Sequence, residues 1–599
     1  MKHWLAMIMY LTYLKYPIAP NRPVVWQEGK ATKDTETDTE TTPPPNVILI
    51  LVDDLGFNDI TFNGGGYYNG LVPTPHIDSL GHTGVSFSNA YAAHATCAPS
   101  RAAILTGQYP TKTGYEFTPT NEWGPYIMGK FLGKDSLKGI YHESSTGPVH
   151  HSKQVLPSNA VTIAEKIRDK YHTIHIGKWH LGFTNTSIPS ARGFDESLNS
   201  GSGTLYLPPH HPDIQNCEVD HMMDTFIWAC VRYEVRTEHN QSEGGRKTFE
   251  PDGYVTDYQA KEAAKAITAN KHNPFFLYLA LTSVHTPLQA LKSDYDQLMH
   301  IPSHCDRVYA AMLISLDRAV GTILAALAVN NLTDNTIVMF TSDNGGPNYI
   351  GQPNINFPYR GSKATFFEGG LRVPFFIKYP RVIAPGTVIN TTVSHVDIFP
   401  TVLAAAGMTF EPDAIDGRDI FSLIDGAKPT PTGGAAEPVP LSDRVQLGEQ
   451  QEQHVQQQDE KSQKEEDDND YDVKKEELET PKKIKTVTED FHETLFWRSG
   501  HYKALRKGPW KLQVSGNPKM MWLFDLAHDP TEQNNLASSE LSAHVTVLKD
   551  MLSELERENA QQVEPLWPSL SETPLLIDKQ LTKESHYVEG EDEYVYWPN

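Results

Sequence analysis

The sequence predicts an α/β protein: a large domain on a central, mostly parallel sheet flanked by helices, then a smaller antiparallel module. Three observations carry that reading. Four short runs, 47–52, 172–176, 275–281 and 336–342, are β-branched or aromatic and apolar on both faces, as strands buried on both sides must be. Between them lie stretches with helical spacing: SRAAILTG, AVTIAEKIRDKY, DYQAKEAAKAITAN and VYAAMLISLDRAVGTILAALAV. Strand–helix alternation of this kind builds a parallel sheet. The length, 599 residues, exceeds what one simple core fills, so an appended module is expected.

The elements follow in chain order. Residues 1–26 open with MKHWLAMIMYLTYLKYP, a basic start and a short apolar run from Trp4 to Leu14. That is the length of a signal-peptide core and too short to span a bilayer comfortably. No other apolar run reaches membrane length, so no membrane span is expected. Residues 27–45 are Thr-, Glu- and Pro-rich and read as a disordered linker. The α/β domain is expected over 46–425. Residues 430–490 read as a disordered acidic insertion: between Glu449 and Glu479 there are 13 carboxylates against 4 lysines, and almost nothing apolar. Such a segment cannot bury enough surface to offset its ordering entropy. Over 491–565 alternating patterns and then a helical run predict a small antiparallel sheet with a packed helix. Residues 566–599 read as an irregular acidic tail.

A composition of 39% hydrophobic and 21% charged residues is that of a folded globular chain. The net charge of −24 excludes sequence-independent binding to nucleic acid or to acidic membranes. It leaves open a local basic pocket for a small anion. The four cysteines, Cys97, Cys217, Cys230 and Cys305, are too few for a disulfide scaffold or a thiolate zinc site. Cys217 and Cys230 are near enough in sequence to close one small loop; for Cys305 a free thiol and a bonded one stand even. Sequons at Asn185, Asn240, Asn331 and Asn390 fit passage through the secretory route, with a lysosomal or secreted destination.

The unusual polar residues fall just past the predicted strands. The first run ends in Asp53-Asp54, the second in Gly177-Lys178-Trp179-His180, the third in Ser283-Val284-His285, the fourth in Asp343-Asn344-Gly345-Gly346. In open α/β sheets the ligand crevice lies outside the carboxyl ends of the strands, so parallel strands bring these side chains together. Asp53, Asp54, Asp343 and Asn344 offer only oxygen ligands, which suit a hard cation such as Ca²⁺ or Mg²⁺. Arg101, Lys178, His180, His285 and Lys363 are cationic or can become so; beside a metal ion they form a pocket for a tetrahedral oxyanion. Cys97 stands in ATCAPSRAAILTG, where Pro99 is expected at the first helical position and Arg101 one turn on. A helix start with its free N–H groups would activate a nucleophile and hold its anionic adduct.

These motifs together resemble the type I sulfatase family. CAPSRAAILTG is similar to its signature, and LVDDLG, GKWHLG, SVHTP, TSDNGG, a later GSK and LFDLAHDPTEQNNL follow in the family's order. The resemblance covers about residues 46–425 and 491–540. It implies an alkaline-phosphatase-like fold with a four-stranded antiparallel sheet in the C-terminal domain. It also implies that the formylglycine-generating enzyme converts Cys97 to 3-oxoalanine (Cα-formylglycine). Hydrated to a geminal diol, that residue would attack sulfur through one hydroxyl and expel the alcohol. Loss of the second hydroxyl's proton would then release sulfate and restore the aldehyde. By the same resemblance, Asp53, Asp54, Asp343, Asn344 and the diol of residue 97 hold one Ca²⁺. Arg101 and Lys178 steady the diol and sulfate oxygens, His180 assists the final proton removal, and His285 and Lys363 bind sulfate and protonate the leaving oxygen. GKWHLG, FFLYLALTSVHTPLQ and FFEGGLRVPF look most like the arylsulfatase B group, which implies a sulfated sugar, N-acetylgalactosamine 4-sulfate, as substrate; an aryl sulfate would serve as a surrogate. Gln108 departs from the family's usual Arg, and the acidic insertion has no counterpart there. Two other readings remain: a phosphonate or phosphodiester hydrolase of the same superfamily, and a non-catalytic protein that binds sulfated glycans.

Overall fold

The computed structural model describes residues 24–29, 43–63, 65–120, 140–141, 149–219, 224, 227–228, 230–237, 247–352, 354–411, 414–424, 491–579 and 592–599. The expected signal core, most of the linker, the acidic insertion and the Asn240 sequon lie outside them.

Ten strands form the main sheet. In chain order they are β1 (Asn46–Val52), β2 (Val85–Phe87), β3 (His172–Gly177), β4 (Glu196–Asn199), β5 (Val235–Thr237), β6 (Lys247–Phe249), β7 (Phe275–Ala280), β8 (Thr336–Ser342), β9 (Phe375–Lys378) and β10 (Thr387–Ile389). Their order across the sheet is β10-β2-β9-β8-β1-β7-β3-β4-β5-β6. The central five, β8-β1-β7-β3-β4, are parallel, and antiparallel pairs occur on both flanks. This is the α/β architecture expected from the four apolar runs.

β1 lies at the centre with all seven residues buried. Its side chains alternate between two cores, as the period of a strand requires. Ile48, Ile50 and Val52 join a core with helices α1 (Pro75–Thr83), α3 (Val255–Ala269) and α4 (His304–Val329). Val47, Leu49 and Leu51 face the other core, with α2 (Cys97–Thr106) and α5 (Ile398–Ala405). Helices on both faces explain why these strands carry no polar side. By length and composition α4 could cross a membrane, yet half of its most apolar window is buried inside the fold. Val308, Leu313, Leu316 and Val320 account for that apolar character as core contacts.

The register places the site. Leu51 pairs with Ala280, Val52 with Ser342, and Ala280 with Gly177. Four strands therefore end at one level, and the residues that follow leave the sheet side by side.

The C-terminal module is a four-stranded meander, β11 (Thr494–Ser499), β12 (Tyr502–Lys507), β13 (Trp510–Gly516) and β14 (Lys519–Asp525). Helix α6 (Ser542–Ala560) covers one face through Met551 and Leu555 against Phe496, Leu505, Leu512 and Leu523. The described parts of the chain on either side of the acidic segment form one compact unit.

Three expectations need correction. Residues 566–599 are not all irregular: β15 (Ser571–Leu576) and β16 (Tyr594–Pro598) pair antiparallel, and β15 also pairs with Ile140–Tyr141. Their apolar side chains, including Val595 and Trp597, join the core, which a reading of net acidity overlooks. Residues 24–29, placed in the leader and linker, pack on the sheet flank. There the Trp26 indole donates to Glu262 at 2.9 Å and the Gly29 amide donates to Asn270 at 2.8 Å. The disulfide joins Cys217 to Cys305, not to Cys230, which is free. It ties the strand Ile214–Cys217 to the start of α4, a contact that sequence distance hides.

Candidate active site

The residues that follow β1, β3, β7 and β8 meet α2 and the 360–372 loop in one buried cluster. Backbone bonds fix the strand ends to one another. The Asp53 amide donates to Ser283 O at 3.0 Å, Val284 N to Asp53 O at 2.9 Å, and Asp343 N to Val52 O at 3.0 Å. Asp54 and His180 take left-handed backbone, with φ of 63° and 60°. Such conformations cost free energy in non-glycine residues and persist where the surroundings enforce them, often at functional sites.

α2 begins at Cys97, with Thr96 before it, so Pro99 is the third helical residue and not the first as expected. The shift costs nothing, because no amide in the first turn has an acceptor within the helix. All ten residues of α2 are buried, and Arg101 stands one turn beyond Cys97 as its spacing demands.

The polar geometry is dense. Asp53 accepts from Lys178 Nζ at 2.6 Å and lies 3.3 Å from Arg101 Nη2. Asp343 is held by Arg101 through Nε at 2.9 Å and Nη2 at 2.7 Å, while its other oxygen accepts from the Asp54 amide at 3.1 Å. Asp54 accepts from Lys363 Nζ at 2.7 Å and from Asn344 Nδ2 at 2.8 Å, with His285 Nε2 at 3.5 Å and Cys97 Sγ at 3.7 Å. His180 is buried alongside, with no partner for its Nδ1. Every residue predicted for the site is therefore present and together.

Charge explains the protonation states. Burial raises each carboxylate's pKa, but Lys178 and the neighbouring cations more than offset this at Asp53, and Lys363 at Asp54, so both lie below the ordinary value. Burial pushes the Cys97 thiol up, so it is a neutral thiol and not a thiolate nucleophile. Burial, with Lys178 next, pushes His285 down to about 4. His285 Nδ1 lies 2.6 Å from Thr286 O. A carbonyl can only accept, so Nδ1 carries the hydrogen and Nε2 faces Asp54 as a base.

The donor set fits a hard divalent cation. Ligand atoms of Asp53, Asp54, Cys97 and His285 lie within 4.8 Å of one another. Asn344 spends its amide hydrogens on Asp54 and Gly345 O, leaving its buried Oδ1 with no hydrogen-bond partner, and Asp53 Oδ1 has no hydrogen bond, only the 3.3 Å ion-pair contact with Arg101. A buried amide oxygen and a carboxylate oxygen that both lack hydrogen bonds are what a calcium-type ion takes.

Several supporting residues carry no sequence signal. Tyr206 donates its hydroxyl to Thr282 O and His285 O at 2.8 and 2.9 Å, Asp224 accepts from Thr286, and Tyr349 lies 3.4 Å from Lys363 Nζ. His395 bridges Ser100 of α2 and Thr341 of β8 at 3.1 and 3.2 Å. These act across long sequence distances, and no local pattern marks them.

Comparison with known proteins points the same way. The sulfatase family model matches residues 45–408. The chain is 32% identical to the steryl-sulfatase of Rattus norvegicus over 64% of this chain and 71% of that one. It is 31% identical to the N-acetylgalactosamine-6-sulfatase of Homo sapiens over 64% of this chain and 66% of that one. Among solved structures, Ps i-CgsB in complex with k-i-k-neocarrahexaose superposes with a TM-score of 0.62 at 27% identity, covering 88% of this chain and 94% of that one. The chain belongs to the sulfatase family of sulfuric ester hydrolases.

Proposed function

We propose that the protein hydrolyses sulfate monoesters of a sugar, using Ca²⁺ and a formylglycine made from Cys97 by the formylglycine-generating enzyme. The observation that carries this reading is the buried convergence of three carboxylates, one amide, one thiol and three cations. Asp53, Asp54 and Asp343 balance Arg101, Lys178 and Lys363, so the cluster alone is close to neutral. A bound divalent cation adds two positive charges, and a sulfuryl group that ends as a dianion balances them. A neutral thiol at residue 97 makes a poor nucleophile, which suits a precursor.

Asp53, Asp54, Asp343 and Asn344 would hold the metal, with residue 97 reaching it. When present, the ion supplies charge that polarises the sulfuryl oxygens, and the hydrated aldehyde supplies the attacking hydroxyl. Arg101, clamped to Asp343, orients the start of α2. Lys178 and Lys363 stabilise charge that builds on the sulfuryl oxygens. Lys363, kept as an ammonium by Asp54, and His285, once its Nε2 has taken up a proton, bind the sulfate and pass a proton to the leaving oxygen. His180, neutral because burial and then Lys178 hold its pKa well down, takes up the last proton.

The finer substrate, N-acetylgalactosamine 4-sulfate, rests on the resemblance to the arylsulfatase B group. The name of the human relative supports a sulfated sugar and that of the carrahexaose complex a saccharide; that of the rat relative favours a steroid sulfate. Assays on 4-sulfated and 6-sulfated N-acetylgalactosamine, a steroid sulfate and a phosphodiester decide among them. The proposal expects the 4-sulfated sugar to be turned over best, and a phosphodiester preference would overturn it. A secretory route is supported by the Cys217–Cys305 disulfide, which persists in oxidising compartments, and by the exposure of Asn185, Asn331 and Asn390.

A further inference from the structure

The 360–372 loop, which carries Lys363, touches three parts of the molecule. Lys363 N donates to Gly346 O at 3.0 Å and Ala364 N to Ala95 O at 2.8 Å, so the loop spans the Asp343-Asn344 turn and the approach to Cys97. Its far side rests on the C-terminal module. There Lys511 of β13 lies 2.8 Å from Glu368 and 2.9 Å from Glu532, and all three side chains are wholly buried. The Glu368 amide donates to Glu532 Oε2 at 2.5 Å, and Glu532 Oε1 accepts from Gln513 at 3.2 Å. Gln513 in turn accepts from the Tyr502 hydroxyl, which accepts from the Phe366 amide at 3.1 Å. Phe366 stacks on Tyr502 with centroids 4.6 Å apart. The result is a closed ring of buried bonds from the loop to the sheet and back. At the loop's start, Arg360 pairs with Asp578 and Glu593.

We propose that Lys511, through Glu368 and Glu532, is a positioning residue for Lys363, so the C-terminal module sets the geometry of the catalytic cluster. Two buried carboxylates face each other across Lys511, and Arg372, 3.0 Å from Glu368, touches only one of them. Without the Lys511 ammonium the two acids lose the cation that joins them, and the loop that carries both Glu368 and Lys363 is the part free to yield. Ala364, beside Lys363, sits at a φ of 64° that the loop's clamps must hold.

The inference rests on the role given to Lys363, and a double-mutant cycle separates the two. With p-nitrophenyl sulfate at a temperature where all variants remain folded by circular dichroism, Lys363→Met alone should lower kcat about 100-fold or more. A wild-type rate there would sink the role of Lys363. Lys511→Met alone should lower kcat about 10- to 100-fold with KM little changed, as misplacement of a reacting group does. In the Lys363→Met background, Lys511→Met should add nothing, because it acts through the residue already removed. Unchanged kcat in Lys511→Met, or losses that multiply, would overturn the proposal. If Lys511→Met does not fold, Tyr502→Phe, which keeps the packing and removes the hydroxyl under Phe366, takes its place in the cycle. A loss of kcat that vanishes in the Lys363→Met background then supports the proposal, and an unchanged kcat or multiplying losses overturn it.

Discussion

At Cys97 the chemistry of a single residue decides the reading. Its one described polar contact is Asp54 at 3.7 Å, and burial keeps it protonated. Cys97→Ala should therefore abolish turnover of p-nitrophenyl sulfate while shifting the melting temperature by no more than a few degrees, since little packing is lost. Asp343 behaves differently. Arg101 grips it at 2.7 and 2.9 Å with both side chains wholly buried. Asp343→Asn leaves that cation with a weakened partner, and breaking a buried pair costs about 3–5 kcal/mol. Thermal melts should show the loss. Adding Ca²⁺ should raise the melting temperature of the wild type and leave that of Asp343→Asn nearly unmoved. The strand-end residues were legible in the sequence because each sits directly after an apolar run, where topology alone predicts convergence. Lys511 and His395 were not, since their contacts with the site reach across the chain, Lys511 to Glu368 over 143 residues and His395 to Thr341 over 54.

Among the elements, the four central strands could be read because helices cover both faces and leave no polar side to confuse the pattern. Two- to four-residue strands such as β2 and β5 are too short to show a period. The tail strands β15 and β16 were hidden by the charges around them. Cysteine pairing was illegible for a simpler reason: spacing along the chain says nothing about which thiols approach. The observed bridge closes a separation of 88 residues. Replacing Cys217 and Cys305 together with serine should cost about 2–4 kcal/mol, measured by denaturant unfolding. Peptide mapping without reductant should recover the 217–305 pair and an alkylated Cys230. A 217–230 pair would contradict the placement of the strand Ile214–Cys217 beside α4.

For the whole molecule, buried titratable groups set the pH response. Burial raises Asp59 to about 8 and Asp317 to about 7, above the 3.8 expected when unfolded. The folded chain then holds more protons than the unfolded one, so the stability from these groups is full below about pH 4 and is lost as pH rises through 7 to 8. Burial lowers His94 and His395 to about 3 from 6.5, so their contribution is present above 6.5 and is lost as pH falls towards 3. The melting temperature should rise as pH falls from 8.5 to about 6.5 and then level off or decline; Asp59→Asn with Asp317→Asn should flatten the first limb. Strand ends, a helix start and a clamped loop are arranged around residue 97, the proposed formylglycine. The mass of the peptide spanning residue 97, from protein made in cells that contain the oxidising enzyme, tests it most directly. A species about 18 Da lighter than the cysteine form is expected, in proportion to activity. Full activity in protein whose residue 97 is wholly an alkylatable thiol would contradict it.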